Sequence, residues 1–163
     1  MGVTGIVIYT DGAAIGNPGP GGYGAVLMYG GHRKELAEGF RLTTNNRMEL
    51  LAVIRALENI KQTGIPIHIY SDSKYVCDSV EKGWLFNWKK KGWTKVKNPD
   101  LWKRFLLLYD KFKPQFHWVK GHAGVLENER CDYLATFAAE KSPNSADIGY
   151  EESLKNNGDS ALF

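Results

Sequence analysis

The apolar run in "GIVIYTDG" (residues 5–12) is rich in β-branched and aromatic residues and stops at an Asp-Gly pair, which predicts a strand. "GYGAVLMYGG" (22–31) predicts a second strand. "RKELAEGFRL" (33–42), with apolar and polar positions alternating, predicts a third. The links are short, so the three form an antiparallel meander. The pattern then changes period. In "TTNNRMELLAVIRALENI" (43–60), Met48, Leu51, Ile54, Ala56 and Leu57 recur near 3.6 residues, with Thr44 or Asn45 placed to cap a helix. "IPIHIYSD" (65–72) is a buried strand, and a strand following a helix in this way runs parallel beside the first.

"SKYVCDSVEKG" (73–83) is a short helix stopped by Gly83. "LFNWKKKGW" (85–93) and "PDLWKRFLLLYDKF" (99–112) are two more helical pieces, the second opened by Pro99. "QFHWV" (115–119) is a fifth strand and "LENERCDYLATFAAEK" (126–141) a last helix. The expected fold is α/β: a mixed five-stranded sheet of α+β character, an antiparallel meander plus parallel strands, with helices on both faces. One domain covers residues 1–141, and the polar, acidic segment 142–163 reads as a flexible tail.

Composition narrows the setting. At 163 residues the chain can bury one ordinary core. No apolar run approaches the ~20 residues that span a bilayer. The first residues lack the basic and apolar regions of a secretory signal. Cys77 and Cys131 form no close motif, so both are expected as buried reduced thiols in a cytoplasmic protein. The net charge is only +3, but residues 81–120 hold eleven lysines and arginines against three acids, a local +8 that leaves −5 elsewhere. Such a patch on a near-neutral chain points to a polyanionic partner.

The stretch after the first strand contains a G-x-G-x-x-G at Gly19, Gly21 and Gly24. A dinucleotide fingerprint needs a helix after the glycines, and a strand is predicted there instead. A P-loop would need Gly-Lys-Ser/Thr, which is absent. The glycines and prolines therefore build a turn, with Asn17 as the side chain able to meet a ligand.

Four acids stand out. Asp11 and Asp72 each close an apolar strand, and the parallel crossover puts both at the carboxyl edge of the sheet, where ligands collect in open α/β folds. Glu49 lies in the opening turns of the first helix, and Asp132 lies in the last helix. Asp72 could instead cap the helix that begins at Ser73. An acid set beside so much apolar surface is costly unless paired or bound to a cation. Carboxylates without a thiolate–imidazole set favour a hard ion, Mg²⁺ or Mn²⁺, over zinc. His122, between Gly121 and Gly124, can move a proton near neutral pH.

With these pieces in place, the chain resembles the bacterial type 1 ribonuclease H family. The likeness rests on "YTDGA", "NPGPGGYGA", "TTNNRMEL", "SDSKYV", "WKKKGW", "NPDLW" and "VKGHAGVLENERCDYLA", all in family order from Val7 to about Lys141. It implies a ribonuclease H-like fold and hydrolysis of the RNA strand of an RNA–DNA hybrid, leaving 3′-hydroxyl and 5′-phosphate ends. It implies an acidic tetrad at Asp11, Glu49, Asp72 and Asp132 holding two Mg²⁺ ions ~3.5–4 Å apart, with Mn²⁺ as a possible substitute. Asp11 would bridge the ions, Glu49 would also face the 2′-hydroxyl that separates RNA from DNA, and His122 would assist proton transfer or product release. Asn17, Thr44, Asn45 and Asn46 match positions that meet the hybrid.

The "handle" would be "GWLFNWKKKGWTKVKN", about residues 83–98, with Trp84, Asn87, Trp88, Lys89, Lys90, Lys91 and Trp93 as its contact residues. Of the tryptophans, Trp84 is the one expected to serve packing. After Trp93 the chain passes almost directly to "TKVKN", shorter than the basic loop usual in the family. Lys74 replaces a usual glutamine and could pair with a phosphate. A monomer with no organic cofactor and no membrane contact completes the expectation. The alternatives are a catalytically decayed hybrid-binding module and a DNA-directed nuclease or transferase of the same fold.

Overall fold

The computed structural model describes residues 4–162, with side chains to residue 156. The outermost parts of the two predicted segments, residues 1–3 and 163, lie outside the described residues. Five strands form one sheet in the order β3-β2-β1-β4-β5. β1 (Ile6–Ala14), β2 (Gly19–Tyr29) and β3 (His32–Thr43) make the antiparallel meander, and β4 (Ile67–Ser71) and β5 (Gln115–Trp118) join it in parallel. The register of the central pair matters most. Thr10 lies opposite Ser71, so Asp11 and Asp72 are each the next residue along two neighbouring parallel strands.

α1 (Asn45–Glu58) packs on β1 and β2, and α4 (Pro99–Phe112) packs on α1. α1 is therefore covered on most of its circumference, with Met48, Leu50, Leu51, Ala52, Val53, Ile54, Ala56 and Leu57 all buried. A helix apolar nearly all round belongs inside a fold. Truncating one of its leucines to alanine would cost roughly 2–5 kcal/mol. Its start is fixed by Thr44, whose Oγ1 accepts from the Arg47 N–H at 3.2 Å. α2 (Lys74–Glu81) and α3 (Trp84–Lys90) follow β4, with Gly83 at φ +77° making the corner between them.

α5 (Leu126–Lys141) lies across β1, β2 and β3 on the other face. It can lie that close because β2 carries glycines, Gly22 and Gly24, beneath the helix. A Cβ on Gly24 would stand 2.5 Å from the Cys131 carbonyl oxygen, and one on Gly22 would stand 2.5 Å from that of Ala135. The glycine-rich segment thus turns the chain, as predicted, and also seats the last helix.

The segment after Lys141 departs from expectation. Its polar composition predicts a loose tail, but Ser145 bridges to Phe40 and α6 (Ile148–Leu162) follows. The reason is a buried ion-pair cluster that no periodicity reveals. Arg47 Nε and Nη2 donate to Asp147 Oδ2 and Oδ1 at 2.7 and 2.8 Å, and Arg47 also donates to both oxygens of Asp100 at 2.9 and 2.7 Å. Thr43 Oγ1 adds a 2.7 Å bond to Asp147. Arg41 and Glu151 pair outside it.

Candidate active site

Asp11, Glu49 and Asp72 each place a carboxylate oxygen within 4.8 Å of the others. β1 and β4 deliver the two aspartates side by side, as the register requires. Glu49 comes from the first turns of α1, and its approach depends on Gly12. A Cβ there would meet Met48 Cβ at 2.8 Å and the α1 backbone closer still. Asp132 lies outside this mutual distance, yet it stands near enough to Asp11 to act on its charge. The structure therefore gathers three of the four predicted acids tightly and sets the fourth beside them.

The cluster is electrostatically unsatisfied. Asp11 is only 5% exposed. Burial first, and the neighbouring Asp72 charge second, push its carboxyl up to about 7 from the usual 3.8. Glu49 is pushed well above its ordinary value by burial and then by Asp11. One Glu49 oxygen, Oε2, is buried with no hydrogen-bond partner among the described residues. Three carboxylates converge here, and among the described residues none of the three forms a salt bridge with a basic side chain. Acids in this state fit a divalent cation, and an all-oxygen donor set suits a hard one.

Asp72 does not cap α2. Ser73 does, accepting from the Val76 N–H at 3.1 Å, which leaves the Asp72 carboxylate to the cluster. The loop after β5 crosses this carboxylate: a Cβ on Gly121 would stand 2.8 Å from Asp72 Oδ2. His122 follows, exposed and at φ +56°. Trp118 Nε1 donates to the Asp72 carbonyl at 3.1 Å, and Lys74 Nζ sits 4.8 Å from the centre of the Trp118 ring. Lys74 is thus at the rim of the cluster. Asn128, one turn before Asp132 in α5, is not among the sequence's candidate site residues. It is 2% exposed, and its Nδ2 has no partner among the described residues. Its i, i+4 spacing from Asp132 was the available signal.

The residues expected to meet a hybrid fall in two places. Asn17 Oδ1 accepts from the Asn45 N–H at 3.0 Å, and Asn45 Oδ1 accepts from the Ala14 N–H at 2.5 Å. These bonds tie the β1–β2 turn to the start of α1. Asn17, Thr44 and Asn46 line a 550 Å³ cleft that Lys97 and Tyr150 also border. The second place is the handle. Asn87, Lys89, Lys90 and Lys91 are exposed there. The tryptophans reverse the expected roles: Trp88 packs 5.7 Å from Trp102 and Trp93 is half-buried against the core, whereas Trp84 is 43% exposed. Trp84 opens α3 just after the corner at Gly83, so its ring faces outward beside Lys82. A separate 330 Å³ cavity, lined by Ile6, Leu27 and Ile60, sits at the opposite end of β1 and holds none of these residues.

Both cysteines are buried and unpaired by disulfide, as expected. Burial raises both thiols, Cys77 to about 12. Among the described residues no helix is long and apolar enough to cross a membrane.

Comparison with known proteins matches this arrangement. The family model for RNase H covers residues 4–140. The chain is 57% identical over 144 residues to the ribonuclease H of Desulforamulus reducens, covering 85% of this chain and 89% of that one. It is 53% identical over 150 residues to the ribonuclease H of Syntrophus aciditrophicus, covering 89% and 86%. Among solved structures, LC9-RNase H1, described as a type 1 RNase H with the type 2 active-site motif, superimposes with a TM-score of 0.75 at 30% identity, covering 93% of this chain and 81% of that one. LC11-RNase H1 in complex with an RNA/DNA hybrid gives 0.64 at 29% identity, covering 85% and 99%. Sequence motifs, sheet order, acidic cluster and relatives agree, and the chain belongs to the ribonuclease H family.

Proposed function

We propose that this member of the family hydrolyses the RNA strand of an RNA–DNA hybrid with Asp11, Glu49, Asp72 and Asp132 as the residues that hold two Mg²⁺ ions. The observation that carries the assignment is the convergence of three carboxylates within 4.8 Å around a buried, partnerless Glu49 oxygen. When bound, Mg²⁺ at such a site supplies Lewis-acid stabilisation of the attacking and leaving oxygens of an in-line displacement, which leaves 3′-hydroxyl and 5′-phosphate ends. Asp11 interacts with all three of the other acids, and Glu49 would read the 2′-hydroxyl. His122, on its exposed loop beside Asp72, would carry a proton to or from the reacting oxygens.

Asn17, Thr44, Asn45 and Asn46 form the near grip on the hybrid. Trp84, Asn87 and the Lys89–Lys91 run form the far one, with Lys74 at the rim between catalytic cluster and solvent. Trp88 and Trp93 support this surface from beneath. The protein would act as a monomer in the cytoplasm, without an organic cofactor. The intact acid cluster favours an active enzyme over a decayed binding module, since like charges brought together have no structural benefit of their own. The test is gel analysis of labelled hybrid, duplex RNA, duplex DNA and single-stranded RNA, with and without Mg²⁺. The hybrid alone should be cut, only with the ion, and Asp11→Asn should stop cutting while hybrid affinity stays within a few fold. Cutting of duplex DNA with the hybrid left intact would refute the reading.

A further inference from the structure

β4 and β5 present a second cluster of ligating side chains, on the face opposite Ile67, Ile69 and Phe116. His68 projects from β4 and His117 from β5. The register pairs Tyr70 with His117 and His68 with Gln115, so the two histidines are diagonal neighbours on one face. His68 Nδ1 and His117 Nε2 are 2.9 Å apart. The rings are held rather than free. His117 stacks on Tyr70 at 4.7 Å, and Tyr70 stacks on Tyr9 at 4.9 Å, a ladder across three strands. Both histidines are half-buried, and α5, which covers the sheet over β1, β2 and β3, leaves them open to small solutes.

A contact this short between two imidazole nitrogens holds one proton between them, so at least one ring is in the neutral form that ligates metals. Two nitrogens bound to one tetrahedral Zn²⁺ at ~2.0–2.1 Å would stand about 3.3 Å apart. The pair needs to open by only a few tenths of an ångström, with small rotations about χ2, which is a soft torsion. We propose that His68 and His117 form a two-histidine site for a borderline divalent ion such as Zn²⁺ or Ni²⁺, water completing the coordination. It is chemically distinct from the carboxylate cluster: imidazole selects borderline ions, the carboxylates hard ones. The bound ion would clip β5 to β4, the strands that carry Asp72 and the loop of His122.

The test uses the full chain in excess Mg²⁺, titrated with ZnCl₂ by calorimetry and by the ring signals of histidine in NMR. Zn²⁺ should shift the ring signals of two of the four histidines and raise the melting temperature. His68→Gln and His117→Gln should each weaken this binding about tenfold or more. Mg²⁺-dependent cleavage by both variants shows that they fold. Asp72→Asn should retain the site. Zn²⁺ binding that persists in both histidine variants, or that disappears in Asp72→Asn, overturns the proposal, as does no binding by the parent protein.

Discussion

Asp147→Ala tests how the C-terminal segment is held. Arg47 is 3% exposed at its side chain and Asp147 8%, so the pair is removed from water. The guanidinium makes two bonds to Asp147 and two to Asp100, and a third acceptor, Asn98 Oδ1, lies at 3.3 Å. Burial works against the charge, but the bonds to Asp100 and then Asp147 win, and Arg47 is held more firmly protonated than usual. Removing Asp147 leaves Arg47 with Asn98 and a single carboxylate, Asp100, which is 44% exposed at its side chain, and orphans the Thr43 hydroxyl. Removing one partner of a buried pair costs about 3–5 kcal/mol, because the other charge stays behind. In a chain of this size each kcal/mol lowers the melting temperature by roughly 2–4 °C, so a drop of about 10 °C is expected by calorimetry. Glu151→Ala, which breaks the pair with the exposed Arg41, should cost less than about 1 kcal/mol. Urea unfolding of the two single variants and the Arg47→Met/Asp147→Leu pair completes the assay. A loss below about 1 kcal/mol for Asp147→Ala would falsify the view that this cluster anchors the tail.

Four further outcomes follow from the same geometry. Asp11→Asn should raise the stability of the metal-free protein by up to about 4 kcal/mol at pH 8. The folded carboxyl at about 7 lies above the unfolded one, so the parent loses stability as pH rises from 4 through 7, and the variant loses less, keeping only the part that the buried Glu49 contributes; a destabilised variant in chelator contradicts this. Gly24→Ala should cost about 1–3 kcal/mol and reduce cleavage, since the new methyl strikes the Cys131 carbonyl and displaces Asp132; unchanged melting and turnover would show that α5 does not need the gap. Glu35 is held at about 2, below its usual 4.5, by Arg130 and then Arg33. Its contribution is present above pH 4.5 and fades towards pH 2. The pair is mostly solvated, so Glu35→Gln should flatten the acid limb of stability by well under 1 kcal/mol, and less in high salt. Replacing Lys89, Lys90 and Lys91 with alanine should raise KM more than it lowers kcat and should flatten the salt dependence of hybrid binding; an unchanged salt slope removes the handle from the interface.

Much of the site was legible from local pattern. Asp11 and Asp72 each follow an apolar run, although β1 continues past Asp11 to Ala14, Glu49 opens a helix with a clear period, and the crossover rule makes the two strands parallel neighbours. Those features are set within a few residues of chain, so the sequence by itself determined the element order, the sheet and the identity of the acids. Only the tertiary structure decided what depends on which surfaces meet. Trp84 turned outward and Trp88 inward because α4, fourteen residues later in the chain, supplies Trp102 as a partner. The tail became ordered because Asp147 reaches a buried Arg47 a hundred residues away. The glycines of β2 gained a purpose because α5 lies on them. His68 and His117 met because β4 and β5 pair in one register, and a shift of a single residue would have sent one of them to the other face.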